Sequence, residues 1–132
     1  MTTSNLWKLG VAGACLAMSG CEGDVSFSED IQPILEASCI QCHDNQAEGE
    51  AVSGLSLKTY DDLLQGTQYG TVVVPGSAMS SALYLTVAGK TAPEIRMPPH
   101  NEESFATGKG EMLSARQIEL IERWINEGAP NN

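Results

Sequence analysis

The chain is 132 residues long with a formal charge of −10 and no basic cluster, which excludes nucleic acid as a partner because nothing in it would neutralise phosphates. Its length and single apolar pattern bound it to one small domain. Aromatic residues make up only 5%, too few for a core built from side chains alone, so an apolar group from outside the polypeptide would supply the missing mass.

Met1 to Cys21 reads as a targeting segment. A short polar start with Lys8 leads into the apolar run from Leu9 to Met18, and the small residues Ser19 and Gly20 then precede Cys21. The run is too short to span a bilayer. Leu16-Ala17-Met18-Ser19-Gly20-Cys21 resembles a bacterial lipoprotein signal, which implies cleavage before Cys21 and lipid on the new N-terminal cysteine. Met18 stands where leucine is usual. The competing reading is an ordinary secretory peptide that leaves Cys21 as a free thiol; on either reading the protein is exported. The expected division is a signal peptide over 1–20, a solvated tether over 21–25 and one domain over 26–130.

Ser26 and Glu29 have capping-box spacing, and Phe27, Ile31, Ile34 and Leu35 recur at helical intervals. Pro33 must bend that helix or divide it near Gln32. Its far end delivers Cys39-Ile40-Gln41-Cys42-His43, the c-type haem attachment signature. Thiols one helical turn apart reach the same edge of a porphyrin, and the next residue is directed at the ring centre. A Cys-x-x-Cys redox pair or half a zinc site would have the same letters. Zinc needs further ligands, however, and beyond the motif the chain has no cysteine and only His100. A thioredoxin-like site needs a βαβ context that these flanks lack. Cysteine use then closes: Cys15 leaves with the signal, Cys21 takes lipid, and Cys39 and Cys42 take haem.

Asp44 to Ser53 reads as an exposed loop, and Gly54-Leu55-Ser56-Leu57 as a brief alternation. Thr59 is placed to cap a helix from Tyr60 to about Gln65, with Asp61 and Asp62 in its first turn and Gly66 ending it. Tyr69 to Val74 reads as extended, closed by Pro75-Gly76. Ser77 is expected to cap a helix to Val87 that buries Leu83, Tyr84 and Val87 and stops at Gly89.

Arg96-Met97-Pro98-Pro99-His100 is the second stretch with chemistry in it. A thioether is a soft ligand for haem iron opposite histidine, and two prolines stiffen the backbone that carries it. Met79 and Met112, expected as packing residues, and His100 are the competing sixth ligands. Asn101 to Glu111 reads as a loop. Ser114 and Gln117 repeat the capping-box form before the stripe Ile118, Leu120, Ile121, Trp124 and Ile125, with Glu119, Glu122, Arg123 and Glu127 on the wet face and Gly128-Ala129-Pro130 as the stop.

The chain resembles the small planctomycete-type c-type cytochrome domains, related to the class I cytochromes c. The matching residues are Asp30-Ile31-Gln32-Pro33-Ile34-Leu35, the motif from Cys39 to His43, Gly54-Leu55-Ser56-Leu57, Val74-Pro75-Gly76, Arg96-Met97-Pro98-Pro99, and Trp124-Ile125 with Gly128-Ala129. Asp44 and Ser53 stand where glycines are common, which bears on loop shape and removes no ligand. The resemblance implies a small all-α cytochrome c-like fold, one covalent haem c on Cys39 and Cys42, His43 and Met97 as axial ligands, and the first and last helices packed together beside the haem. An electron carrier follows from two filled axial positions. It would be lipid-anchored through Cys21 on the periplasmic side of a bacterial membrane and would exchange electrons with redox partner proteins. The alternative is a peroxidase-like or gas-sensing haem protein with a displaceable sixth ligand.

Overall fold

The computed structural model describes residues 23–44, 46–99 and 111–132. The segment Met1–Cys21, His100 and the loop expected from Asn101 lie outside the described residues, apart from the last position of that loop, Glu111. Among the described residues the architecture is all-α. Helices α1 (Gln32–Ser38), α2 (Glu48–Ser53), α3 (Tyr60–Gln65), α4 (Ala82–Val87) and α5 (Ala115–Asn126) are joined by a π-turn, Phe27–Ile31, and two 3₁₀ turns, Ala78–Ser80 and Pro93–Ile95.

Helix α5 is the longest among the described residues and starts where its sequence demands. Ser114 Oγ accepts from the Gln117 amide at 3.3 Å while Gln117 Oε1 accepts from the Ser114 amide at 2.8 Å, so the capping box closes from both sides. Its inner face buries Ile121, Trp124 and Ile125 completely. Trp124 is the hub of an aromatic cluster, with ring centroids 5.6 Å from Phe27 and 6.5 Å from Tyr60, while Phe27 and Tyr60 meet edge-on at 5.1 Å. The cluster ties the N-terminal turn, α3 and α5 together. Its polar atoms go to the C-terminal tail: Trp124 Nε1 donates to the Pro130 carbonyl at 2.9 Å and the Tyr60 hydroxyl to the Ala129 carbonyl at 2.8 Å.

Pro33 divides the first helix rather than kinking it. Ile31 N donates to the Ser26 carbonyl across a wide turn, and α1 begins afresh with the proline in its first turn, where its missing N–H costs nothing. The wide turn also changes the cap. Ser26 Oγ accepts from Glu29 N as expected, but the carboxylate that returns to Ser26 N is that of Asp30, at 2.9 Å, not Glu29. It is this π-turn that packs against α5, through Phe27 on Trp124.

Three further expectations are corrected. The stretch 44–53 is not all loop, since its second half is α2, which buries no side chain fully. Ser77 caps only the 3₁₀ turn; α4 starts four residues later at Ser81, which is fully buried, its hydroxyl donating to the Ser77 carbonyl and accepting from Val74 N, both at 2.8 Å. Val25, assigned to the tether, is only 2% exposed and belongs to the core. By contrast, Thr59 caps α3 as read, accepting from Asp62 N at 3.1 Å, and Leu83, Tyr84 and Val87 are buried on α4.

Candidate haem site

Cys39 is the C-cap of α1, its amide donating to the Leu35 carbonyl at 2.9 Å. The chain then stays wound: Cys42 N donates to the Cys39 carbonyl at 3.0 Å, and His43 N is shared between the Cys39 and Ile40 carbonyls at 3.1 Å. A tight turn thus carries both thiols and the imidazole, as attachment along one porphyrin edge requires. Both cysteines are free and half-buried. Burial first, and the neighbouring Cys42 second, push the Cys39 thiol up to about 11. No cluster of three or more His, Cys, Asp or Glu side chains with metal-binding geometry occurs among the described residues, which counts against the zinc reading there.

His43 is 8% exposed and held on three sides. Its backbone carbonyl accepts from Leu57 N at 2.8 Å, and its Nδ1 lies 3.2 Å from the Leu55 carbonyl. A carbonyl only accepts, so this bond requires the proton on Nδ1 and leaves the lone pair on Nε2. A carbonyl partner on the second ring nitrogen fixes the tautomer and raises the basicity of the first, the usual support of a ligating histidine. Leu55 and Leu57 are themselves buried, which fixes the main-chain groups that meet His43.

The third side is α2. Gly49 faces the ring so closely that a Cβ there would lie 2.8 Å from the Cys42 carbonyl, 2.9 Å from His43 Cε1 and 3.0 Å from Nε2. The nearer ring atom is Cε1, so the glycine sits beside the Cε1–Nε2 bond, off the Nε2 lone-pair axis. The donor set therefore fits a haem: two thiols for two thioethers, and a Nε2 that the Leu55 bond leaves free. Helix α2 is held in this position by main-chain ties, with Glu50 N donating to the Cys42 carbonyl at 3.1 Å and Gln68 N to the Ser53 carbonyl at 3.0 Å. Nothing in the sequence pattern of 48–53 signals this contact, although a glycine six residues beyond the motif was open to notice.

Met97 follows the Pro93–Ile95 turn, its amide donating to the Thr86 carbonyl at 3.3 Å. It is partly buried and packs on the same hydrophobic cluster as Cys39 and Ile40, while Pro98 behind it is buried. Arg96 Nε donates to the Thr91 carbonyl at 3.2 Å, bracing the segment from the outside. Of the competing methionines, Met79 is 62% and Met112 58% exposed, so neither is the packing residue expected.

Residues 39–101 match the family model described as planctomycete cytochrome C. No curated protein and no solved structure gives a match. The matched segment begins on the first thiol of the motif and runs through α2, α3, α4 and the Met97 segment. With the haem motif at its head, the matched segment is a planctomycete-type cytochrome c domain, all-α among the described residues, and this supports a haem-binding cytochrome.

Proposed function

We propose that the protein is an exported electron carrier with a single haem c, attached through Cys39 and Cys42 and ligated by His43 and Met97. The observation that carries the reading is the Nδ1 bond to Leu55, which leaves His43 with a fixed ring and an available Nε2. The haem would supply a one-electron ferric/ferrous couple. The polypeptide's part is to hold the ligands still: His43 by Leu55, Leu57 and Gly49, and Met97 by Thr86 and the prolines that follow it. With both axial positions filled, small molecules have no ready access to the iron, which favours electron transfer over catalysis.

The same reading takes Met1–Gly20 as the removed signal, with Cys21 lipidated on the periplasmic side of a bacterial membrane. Stable anchoring needs more than one acyl chain, as a bacterial lipoprotein provides. Redox partner proteins supply and accept the electrons.

Visible spectra of the mature protein in both oxidation states test the ligation. Met97→Ala is expected to lower the reduction potential and to let carbon monoxide bind the reduced protein. The double variant Met97→Ala, His100→Ala guards against a substitute ligand. Rapid carbon monoxide binding by the reduced wild type, unchanged by Met97→Ala, would transfer the reading to a sensor or peroxidase-like protein. Covalent attachment is tested by extraction with acidified organic solvent, which should remove haem from Cys39→Ser, Cys42→Ser protein and not from the wild type.

A further inference from the structure

From Gly23 onward the chain is fastened to the C-terminal end of α5 and the tail beyond it. The Gly23 carbonyl accepts from Arg123 Nη2 at 3.0 Å, and Val25 N donates to Glu127 Oε2 at 2.8 Å. Arg123 and Glu127 are themselves paired at 3.3 Å. Phe27 N then donates to Asn132 Oδ1 at 2.8 Å, while Ser28 N and the Ser26 and Ser28 hydroxyls all donate to the Asn132 carbonyl. Buried Val25 anchors the same stretch by its side chain.

We infer that this fastening makes the C-terminal end of α5 the membrane-facing end of the domain, held against the lipid headgroups in one orientation. The inference rests on the proposed lipidation of Cys21. Only Glu22 separates Cys21 from Gly23, and two residues reach at most about 7 Å, less than the ~10 Å width of a helix with its side chains. The lipid attachment point is thereby confined to the neighbourhood of Arg123 and Glu127. A domain so attached has no slack on which to turn over. Attraction to anionic lipid does not set the orientation: Asp24 and Glu29 are exposed on the fastened segment and the whole chain carries −10, so the surface is repelled rather than drawn down. Orientation by a short covalent strap should persist in high salt, which screens charge attraction.

The test uses the lipidated holoprotein in oriented phosphatidylcholine multilayers, with linear dichroism of the haem absorption as readout. The wild type should show strong dichroism, unchanged by raised salt. A glycine–serine segment of about a dozen residues inserted between Glu22 and Gly23 gives a root-mean-square reach of about 20 Å. It should lower the dichroism at least about two-fold while leaving the visible spectrum and membrane fractionation unchanged. An isotropic wild type overturns the inference, as does an insertion variant ordered as well as the wild type. Mass spectrometry of the same preparation separates the two claims. Lipid on Cys21 with an isotropic haem sinks the orientation alone, whereas an unmodified Cys21 sinks the lipidation and the orientation with it.

Discussion

Replacing Gly49 by alanine sets two effects of known sign against each other. In a helix, alanine is favoured over glycine by up to about 1 kcal/mol, less in a first turn such as this. The new methyl would arrive 2.8 Å from the Cys42 carbonyl and within 3.0 Å of two atoms of the His43 ring, none of them the free end of a flexible chain. Relief requires the ring to swing or α2 to lift. Swinging breaks the Nδ1 bond to Leu55, worth about 1 kcal/mol net, and lifting strains the Glu50 amide bond to Cys42. Overpacking of this kind costs about 1–3 kcal/mol, so after the smaller helix gain of a first turn the balance falls about 0.5–2.5 kcal/mol against the variant. Urea titration followed by far-ultraviolet circular dichroism should show the midpoint lowered by roughly 0.3–2.5 M, given a denaturant slope of about 1–1.5 kcal/mol/M. A change in the visible spectrum should accompany it, because the ring that moves is the proposed ligand. Gly23→Ala is the control, since a Cβ there meets nothing within 4 Å. If Gly49→Ala is as stable as the wild type and spectrally identical, α2 does not press on His43 and the account of how the ligand is held is wrong.

Trp124→Ala should destabilise by about 3–5 kcal/mol in the same titration, since the ring is wholly buried at the hub of three elements. Trp124→Phe keeps most of the packing but strips the Pro130 carbonyl of its donor, and should cost about 1–3 kcal/mol. Met79→Ala and Met112→Ala, at exposed positions, should each shift stability by less than about 0.5 kcal/mol and leave the spectrum alone. In haem-free protein Cys39 should alkylate slowly at neutral pH and faster as pH approaches about 11. The sign of its linkage follows: the folded thiol keeps its proton above the ordinary thiol value of 9.0, where the unfolded one loses it, so haem-free stability should fall between about 9 and about 11 and be flat below. Cys39→Ser should abolish that decline.

What the sequence made legible is what burial periodicity and capping chemistry write into it. Ile121, Trp124 and Ile125 are spaced for one helical face, and Ser114 with Gln117 announces where that helix starts. Helix α2 was illegible because it buries no side chain fully; main-chain bonds and the αL cap at Gly54, φ +75°, hold it instead, and neither leaves a hydrophobic period. Ser77 looked like the cap of α4 because serine, proline and glycine cluster there. The deciding fact is that Ser81 turns its hydroxyl back on Val74 and Ser77, a tertiary arrangement that local pattern does not encode. At the proposed site, the spacing of Cys39, Cys42 and His43 is what the sequence itself displays. The Leu55 carbonyl and the Gly49 backbone are not legible there, because a main-chain group and a missing side chain contribute through position rather than identity.

Ser26, Phe27 and Ser28 bond directly to Asn132, so residues 26–28 and 132 lie side by side in the fold. A permuted gene that joins residue 132 to residue 23 through a few glycines and opens the chain at the exposed turn around Gly70, where an added Cβ meets nothing, should still fold, because it severs no helix and keeps the aromatic hub intact. Such a protein would begin on the opposite side of the cut. If the proposed lipidation holds, fusing its signal to that new start would re-hang the same domain by another point, so that the geometry of the proposed exchange with partners can be varied while the residues from Cys39 to His43 and Met97 stay where they are.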